Sequence, residues 1–132
     1  MIIKIFTGPL NYTIEKIYKE NRGEFIIGVD MACSILIKNN IPIDLAIGDF
    51  DSLKEGSMKE VIEYADKIIM YPSEKDYTDT YLAVKEALKM DHTEILIYGG
   101  VGERFDHSLA NLALLKLGTI AICNDKEISP FA

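Results

Sequence analysis

The sequence predicts an α/β fold: one three-layer α/β/α domain around a mainly parallel, Rossmann-like sheet of about six strands. Three observations predict it. Short apolar runs rich in β-branched residues alternate with segments of helical periodicity. Proline and glycine punctuate the junctions between them. Acidic and glycine-rich groups follow the apolar runs, at the edge where an open α/β sheet keeps its ligand crevice.

Residues 2–6 open the chain as a strand, broken by Pro9, and residues 12–21 carry Ile14, Ile17 and Tyr18 on one helical face. Residues 24–29 read as a second strand. Residues 31–39 form a helix that stops at Asn39-Asn40 ahead of Pro42. A third strand covers 44–47, an amphipathic helix 54–65 and a fourth strand 67–71, stopped by Pro72. The longest helix runs from Asp76 or Thr78 to Met90, with Tyr81, Val84, Ala87 and Leu88 at helical spacing. Residues 93–98 are a fifth strand closed by Gly99-Gly100-Val101-Gly102. Residues 104–117 make a last helix capped by Gly118, and 119–123 a sixth strand. Phe6, Phe25, Tyr64, Met70 and Met90 fall at core-like positions. Residues 1–123 thus form one domain. Residues 124–132 begin with a turn-like Asn-Asp and read as the start of a linker without a completed element.

At 132 residues, 48% hydrophobic and 27% charged, the chain is long enough to bury one core and too apolar for disorder. A formal charge of −7 excludes a sequence-independent nucleic-acid binder, which needs a basic face. It leaves nucleotides open, because a bound divalent cation reverses the local sign. Cys33 and Cys123 form no zinc or C-x-x-C pattern and read as free thiols of a reducing compartment. The start carries no charged n-region ahead of an apolar core, and no apolar run reaches the length of a membrane helix. A cytoplasmic location without membrane partners is expected.

Four polar groups follow predicted strands: Asp30; Asp49 with Asp51; Lys75-Asp76-Tyr77-Thr78-Asp79; and the segment Gly99 to His107. Parallel strands bring their carboxyl ends to one edge, so the four can converge. Asp49 and Asp51 offer hard oxygen ligands suited to Mg²⁺, which takes its remaining ligands from water and substrate phosphates. An Asx-turn followed by a Ser52 helix cap explains the same spacing. Asp76, Thr78 and Asp79 suit helix capping as well as a metal or nucleotide shell, with Lys75 as a point charge for phosphate. The glycines after the fifth strand fit a tight turn or a phosphate cradle. Arg104 can grip phosphate bidentately, and Asp106 and His107 add a carboxylate and a proton-exchanging group. Asp30 alone is explained equally well as a cap for the helix that follows. His92 sits at a turn on the opposite edge and is given no role.

In order, Gly28-Val29-Asp30, the segment from Pro42 through Gly48-Asp49-Phe50-Asp51-Ser52, Lys75-Asp76-Tyr77-Thr78-Asp79-Thr80, and Gly99-Gly100 with Gly102, Arg104, Asp106-His107, Leu109 and Asn111 resemble the catalytic domain of thiamine pyrophosphokinase (thiamine diphosphokinase). The resemblance runs from the second strand to the last helix. It implies Mg²⁺-dependent transfer of pyrophosphate from ATP to the hydroxyl of thiamine, giving thiamine diphosphate and AMP. It implies that Asp49, Asp51 and Asp79 hold Mg²⁺, and that Asp30 and Asp76 complete the acidic site. Ser52, Lys75, Thr78, Arg104, Asp106, His107 and Asn111, with Asp30, would seat the nucleotide. Asp76 or Asp51 would take the hydroxyl proton. Met31-Ala32-Cys33 departs from the family, which usually places arginine or glycine and then small residues after Asp30. The family also carries a C-terminal β-sandwich and binds thiamine between domains of a homodimer, so this chain reads as an isolated catalytic domain. The same acidic site would serve a pyrophosphokinase of a hydroxymethylpterin, and a non-catalytic Mg²⁺-nucleotide-binding module is a further alternative. A haloacid-dehalogenase-like phosphatase fits poorly, because its D-x-D would follow the first strand.

Overall fold

A computed structural model describes residues 1–8, 23–50, 55–72, 79–99, 120–123 and 128–130. Among the described residues seven strands form one sheet in the order β4-β3-β2-β1-β5-β6-β7. They are β1 (Ile2–Phe6), β2 (Phe25–Val29), β3 (Leu45–Gly48), β4 (Lys67–Met70), β5 (Glu94–Tyr98), β6 (Ile120–Cys123) and β7 (Ile128–Pro130). β1 to β6 pair in parallel, and β7 returns antiparallel along β6. Three helices are described: α1 (Ala32–Lys38), α2 (Glu55–Tyr64) and α3 (Asp79–Leu88).

β1, β2, β3 and β5 are buried on both faces, which turns them into continuous apolar runs instead of alternating ones. Ile3, Ile5, Ile27, Val29, Leu45, Ile47, Ile95 and Ile97 pack with Ala83, Val84 and Ala87 of α3. On the opposite face Phe6, Ile26, Ala46, Leu96 and Tyr98 pack with Ala32, Cys33 and Leu36 of α1 and Val61 of α2. These are the three layers expected from the sequence. α1 sits close to β2 because residue 28 is glycine: a Cβ there would lie 2.8 Å from Cys33 Sγ and 3.1 Å from Leu36 Cδ1. Lys4 is the exception to the apolar rule. It is 1% exposed in the middle of β1, and its ammonium lies 2.7 Å from the buried carboxylate of Glu24. Burying a charge is costly without such a partner.

The chain runs β1, β2, β3, β4 outward on one side of β1, then crosses back through α3 to place β5 on the other side. Strand order therefore reverses between β1 and β5. An open sheet has its crevice at such a reversal, outside the carboxyl ends of the strands.

Element bounds agree with the sequence reading to within a residue or two, and three features differ. β3 extends through Gly48, which pairs with Met70 and accepts the Tyr71 N–H at 3.0 Å. Met70 is 60% exposed instead of in the core, because β4 is an edge strand and not a doubly covered one. Residues 128–130, expected to belong to a linker, complete β7 by pairing Ile128 with Cys123 and Pro130 with Ala121. The expected helices at 12–21 and 104–117 lie outside the described residues. Among the described residues no helix is long and apolar enough to cross a membrane.

Candidate functional site

Two strand ends and one helix start meet at the carboxyl edge. β2 runs out at Val29, and Asp30 continues the ladder by donating its N–H to the Ile47 carbonyl at 3.0 Å. There the backbone turns to a φ of 51°. The Asp30 carbonyl accepts the Cys33 N–H at 3.1 Å, which opens α1. Its side chain does not cap that helix, contrary to the simpler expectation. The residue at the cap is Met31, with no side-chain cap bond, and the Asp30 carboxylate turns instead to the end of β3.

Asp30 Oδ1 accepts the Phe50 N–H at 2.8 Å. Phe50 holds a φ of 59°, a conformation that a bulky residue adopts only when its surroundings impose it. The imposing contacts are that hydrogen bond and the ring, which is 4% exposed and packed in the α1–α2 core. Gly48 makes room for the arrangement. Its φ is +146°, and a Cβ at this position would lie 2.9 Å from both Cγ and Oδ1 of Asp30. The glycine of Gly48-Asp49-Phe50 is thus required by a carboxylate contributed from another strand.

Asp49 follows Gly48, and Asp79 occupies the first turn of α3, where the positive end of the helix dipole favours a carboxylate. Asp30, Asp49 and Asp79 each bring an oxygen into one group whose members lie within 4.8 Å of one another. Their charges oppose. The pKa of Asp30 is pushed up from 3.8 to about 7, first by burial, then by a side-chain hydrogen bond to Asp79 and the negative charge of Asp79. Asp49 raises it further, and the Phe50 N–H acts the other way. A hydrogen bond between two carboxyl groups needs a proton, so below about pH 7 and without a cation the cluster holds one between Asp30 and Asp79. A divalent cation would serve in its place. An all-oxygen donor set, hydrogen-bonded and half-buried, fits Mg²⁺ better than a soft metal.

Of the residues singled out in the sequence, Asp30, Asp49 and Asp79 are brought together. Asp51, Ser52, Lys75, Asp76, Thr78, Arg104, Asp106, His107 and Asn111 lie outside the described residues. Gly99 directly follows β5 with a φ of 86°, consistent with a tight turn there. His92 has its Nδ1 2.7 Å from the Met90 carbonyl, a local turn contact far from the acidic edge. Sequence reasoning passed over Thr7 and quoted Thr80 without giving it a role; their hydroxyls meet at 2.6 Å beside this edge. A small polar residue directly after a buried strand was the available signal.

The profile of the family described as "Thiamin pyrophosphokinase, catalytic domain" matches residues 18–122. The chain is 40% identical over 112 residues to the thiamine pyrophosphokinase of Bacillus subtilis (strain 168), covering 84% of this chain and 52% of that protein. The crystal structure of thiamine pyrophosphokinase from Bacillus subtilis superposes with a TM-score of 0.72 at 30% identity, over 95% of this chain and 61% of that one. The structure of a thiamin pyrophosphokinase family protein from Enterococcus faecalis gives 0.69 at 33% identity, over 93% and 61%. The chain spans about half the length of the curated relatives it matches. On the length of the match and the shared fold, the chain belongs to the family of thiamin pyrophosphokinase catalytic domains.

Proposed function

We propose that this chain is a catalytic domain that transfers the pyrophosphoryl group of ATP to the hydroxyl of thiamine, giving thiamine diphosphate and AMP. The convergence of Asp30, Asp49 and Asp79 from three separate segments on one sheet edge carries this reading. Asp49 and Asp79, with Asp51, would hold Mg²⁺, and Asp30 would join them as a ligand or a hydrogen-bonding neighbour. When bound, the ion neutralises phosphate charge. Lys75 and Arg104 would do the same from the protein side, with Ser52, Thr78, Asp106, His107 and Asn111 seating the nucleotide. In the reaction the thiamine oxygen bonds to the β-phosphorus, the Pα–O–Pβ bridge opens, and AMP leaves with the bridging oxygen. The hydroxyl proton passes to a carboxylate, Asp76 or Asp51. Such a transfer asks the protein for positioning and charge stabilisation more than for covalent chemistry.

A homodimer in the reducing cytoplasm, with the acceptor bound near the subunit boundary, is part of the same proposal. The direct test is phosphorus NMR of the chain with Mg²⁺, ATP and thiamine. AMP and thiamine diphosphate should appear in equal amounts and only with Mg²⁺. AMP formation stimulated by a hydroxymethylpterin instead of thiamine would reassign the acceptor. ATP held without turnover would make the chain a Mg²⁺-nucleotide-binding module.

A further inference from the structure

Thr7, directly after β1, and Thr80, in the first turn of α3, are 3% and 7% exposed, and their hydroxyl oxygens lie 2.6 Å apart. The bond joins positions 73 residues apart in sequence. Thr7 is itself fixed to the switch point, since its N–H donates to the Tyr98 carbonyl at the end of β5 at 2.9 Å. Where α3 lies over the sheet centre its contacts are apolar: Ala83, Val84 and Ala87 rest among Ile3, Ile5 and Ile27, while the Tyr71 hydroxyl reaches Glu86 near the far end of the helix at 3.4 Å. Apolar contacts of that kind tolerate sliding. A buried hydroxyl pair does not, because each partner is satisfied at a single separation and costs free energy when it is not.

Asp79 precedes Thr80, and its carboxylate must reach Asp30 and Asp49, which are held by the ends of β2 and β3. We propose that Thr7 and Thr80 are positioning residues: their hydroxyl bond sets the start of α3 against the sheet centre and so places the Asp79 carboxylate in the cation site. This rests on the reading of the acidic cluster as a metal site. Valine has the shape of threonine with a methyl in place of the hydroxyl, and two methyls touch at about 3.5–4.0 Å. Replacing both threonines by valine therefore moves the start of α3 outward by roughly 1 Å relative to the 2.6 Å hydroxyl contact. Replacing both partners also leaves no buried hydroxyl unsatisfied, so the fold should keep most of its stability.

The experiment is a titration of Mn²⁺ followed by electron paramagnetic resonance, together with thermal melts, on the wild type, Thr7→Val/Thr80→Val and Thr80→Ser. The double variant should melt within a few degrees of wild type and bind Mn²⁺ roughly tenfold more weakly, the scale of effect seen when groups that orient metal ligands are removed. Thr80→Ser keeps the oxygen and should bind like the wild type. A double variant with undiminished Mn²⁺ affinity would overturn the positioning role while leaving the metal site intact. So would Thr80→Ser binding as weakly as the double variant. A wild type without saturable Mn²⁺ binding would remove the metal-site reading, and this inference with it.

Discussion

Asp30 is held at its backbone by one strand and at its side chain by another. Its N–H bonds Ile47 and its carboxylate bonds Phe50, while burial and the charges of Asp79 and Asp49 oppose its ionisation. With a folded pKa of about 7 against an ordinary 3.8, the folded protein keeps a proton that the unfolded chain has released between those values. The unfolded state binds fewer protons over that range, so this group makes stability fall as pH rises from about 4 to about 7 and then level off. Melting temperatures in a chelator should therefore decline from pH 5 to 8 more steeply in the wild type than in Asp30→Asn. Excess Mg²⁺ should flatten the wild-type curve, because the cation binds the ionised form. Parallel curves for the two proteins in chelator would contradict this account of Asp30.

Between elements, the site depends on how closely the ends of β2 and β3 approach. Gly48 decides that distance, since a Cβ at its position would meet the Asp30 carboxylate at 2.9 Å and its φ of +146° is unfavourable for any other residue. Gly48→Ala should cost on the order of 1–3 kcal/mol in urea unfolding. It should also weaken divalent-cation binding, since the Asp30 carboxylate is what must move; unaltered cation affinity would show that Asp30 stands outside the site. The strands were legible because buried parallel strands read as apolar runs, and Gly48-Asp49 was legible because it follows one directly. Asp30 entered the expected site through its place after a strand and the family resemblance, and its contacts were not legible. A single carboxylate after a strand has no spacing partner in the sequence, and its partners Phe50 and Asp79 arrive from 20 and 49 positions away. The positive φ of Phe50 was equally hidden, because nothing in phenylalanine's own preferences asks for it. Met70 was misplaced in the core because strand order, which makes β4 an edge, is a property of the whole sheet.

For the molecule as a whole, the reversal of strand order beside β1 fixes where a ligand crevice forms, and the acidic cluster lies on that edge. A chain of net charge −7 with three converging carboxylates repels a polyphosphate unless a cation intervenes. Cation-dependent nucleotide binding is therefore the property that separates this account from a merely structural acidic turn. The most direct measurement is calorimetric titration with α,β-methylene ATP, whose Pα–C–Pβ link the reaction cannot break. Saturable binding is expected with Mg²⁺, with loss of binding in chelator and in Asp49→Asn, whose far-UV circular dichroism should match the wild type. Equal affinity with and without Mg²⁺, or in Asp49→Asn, would contradict the assignment of this edge as a metal–nucleotide site.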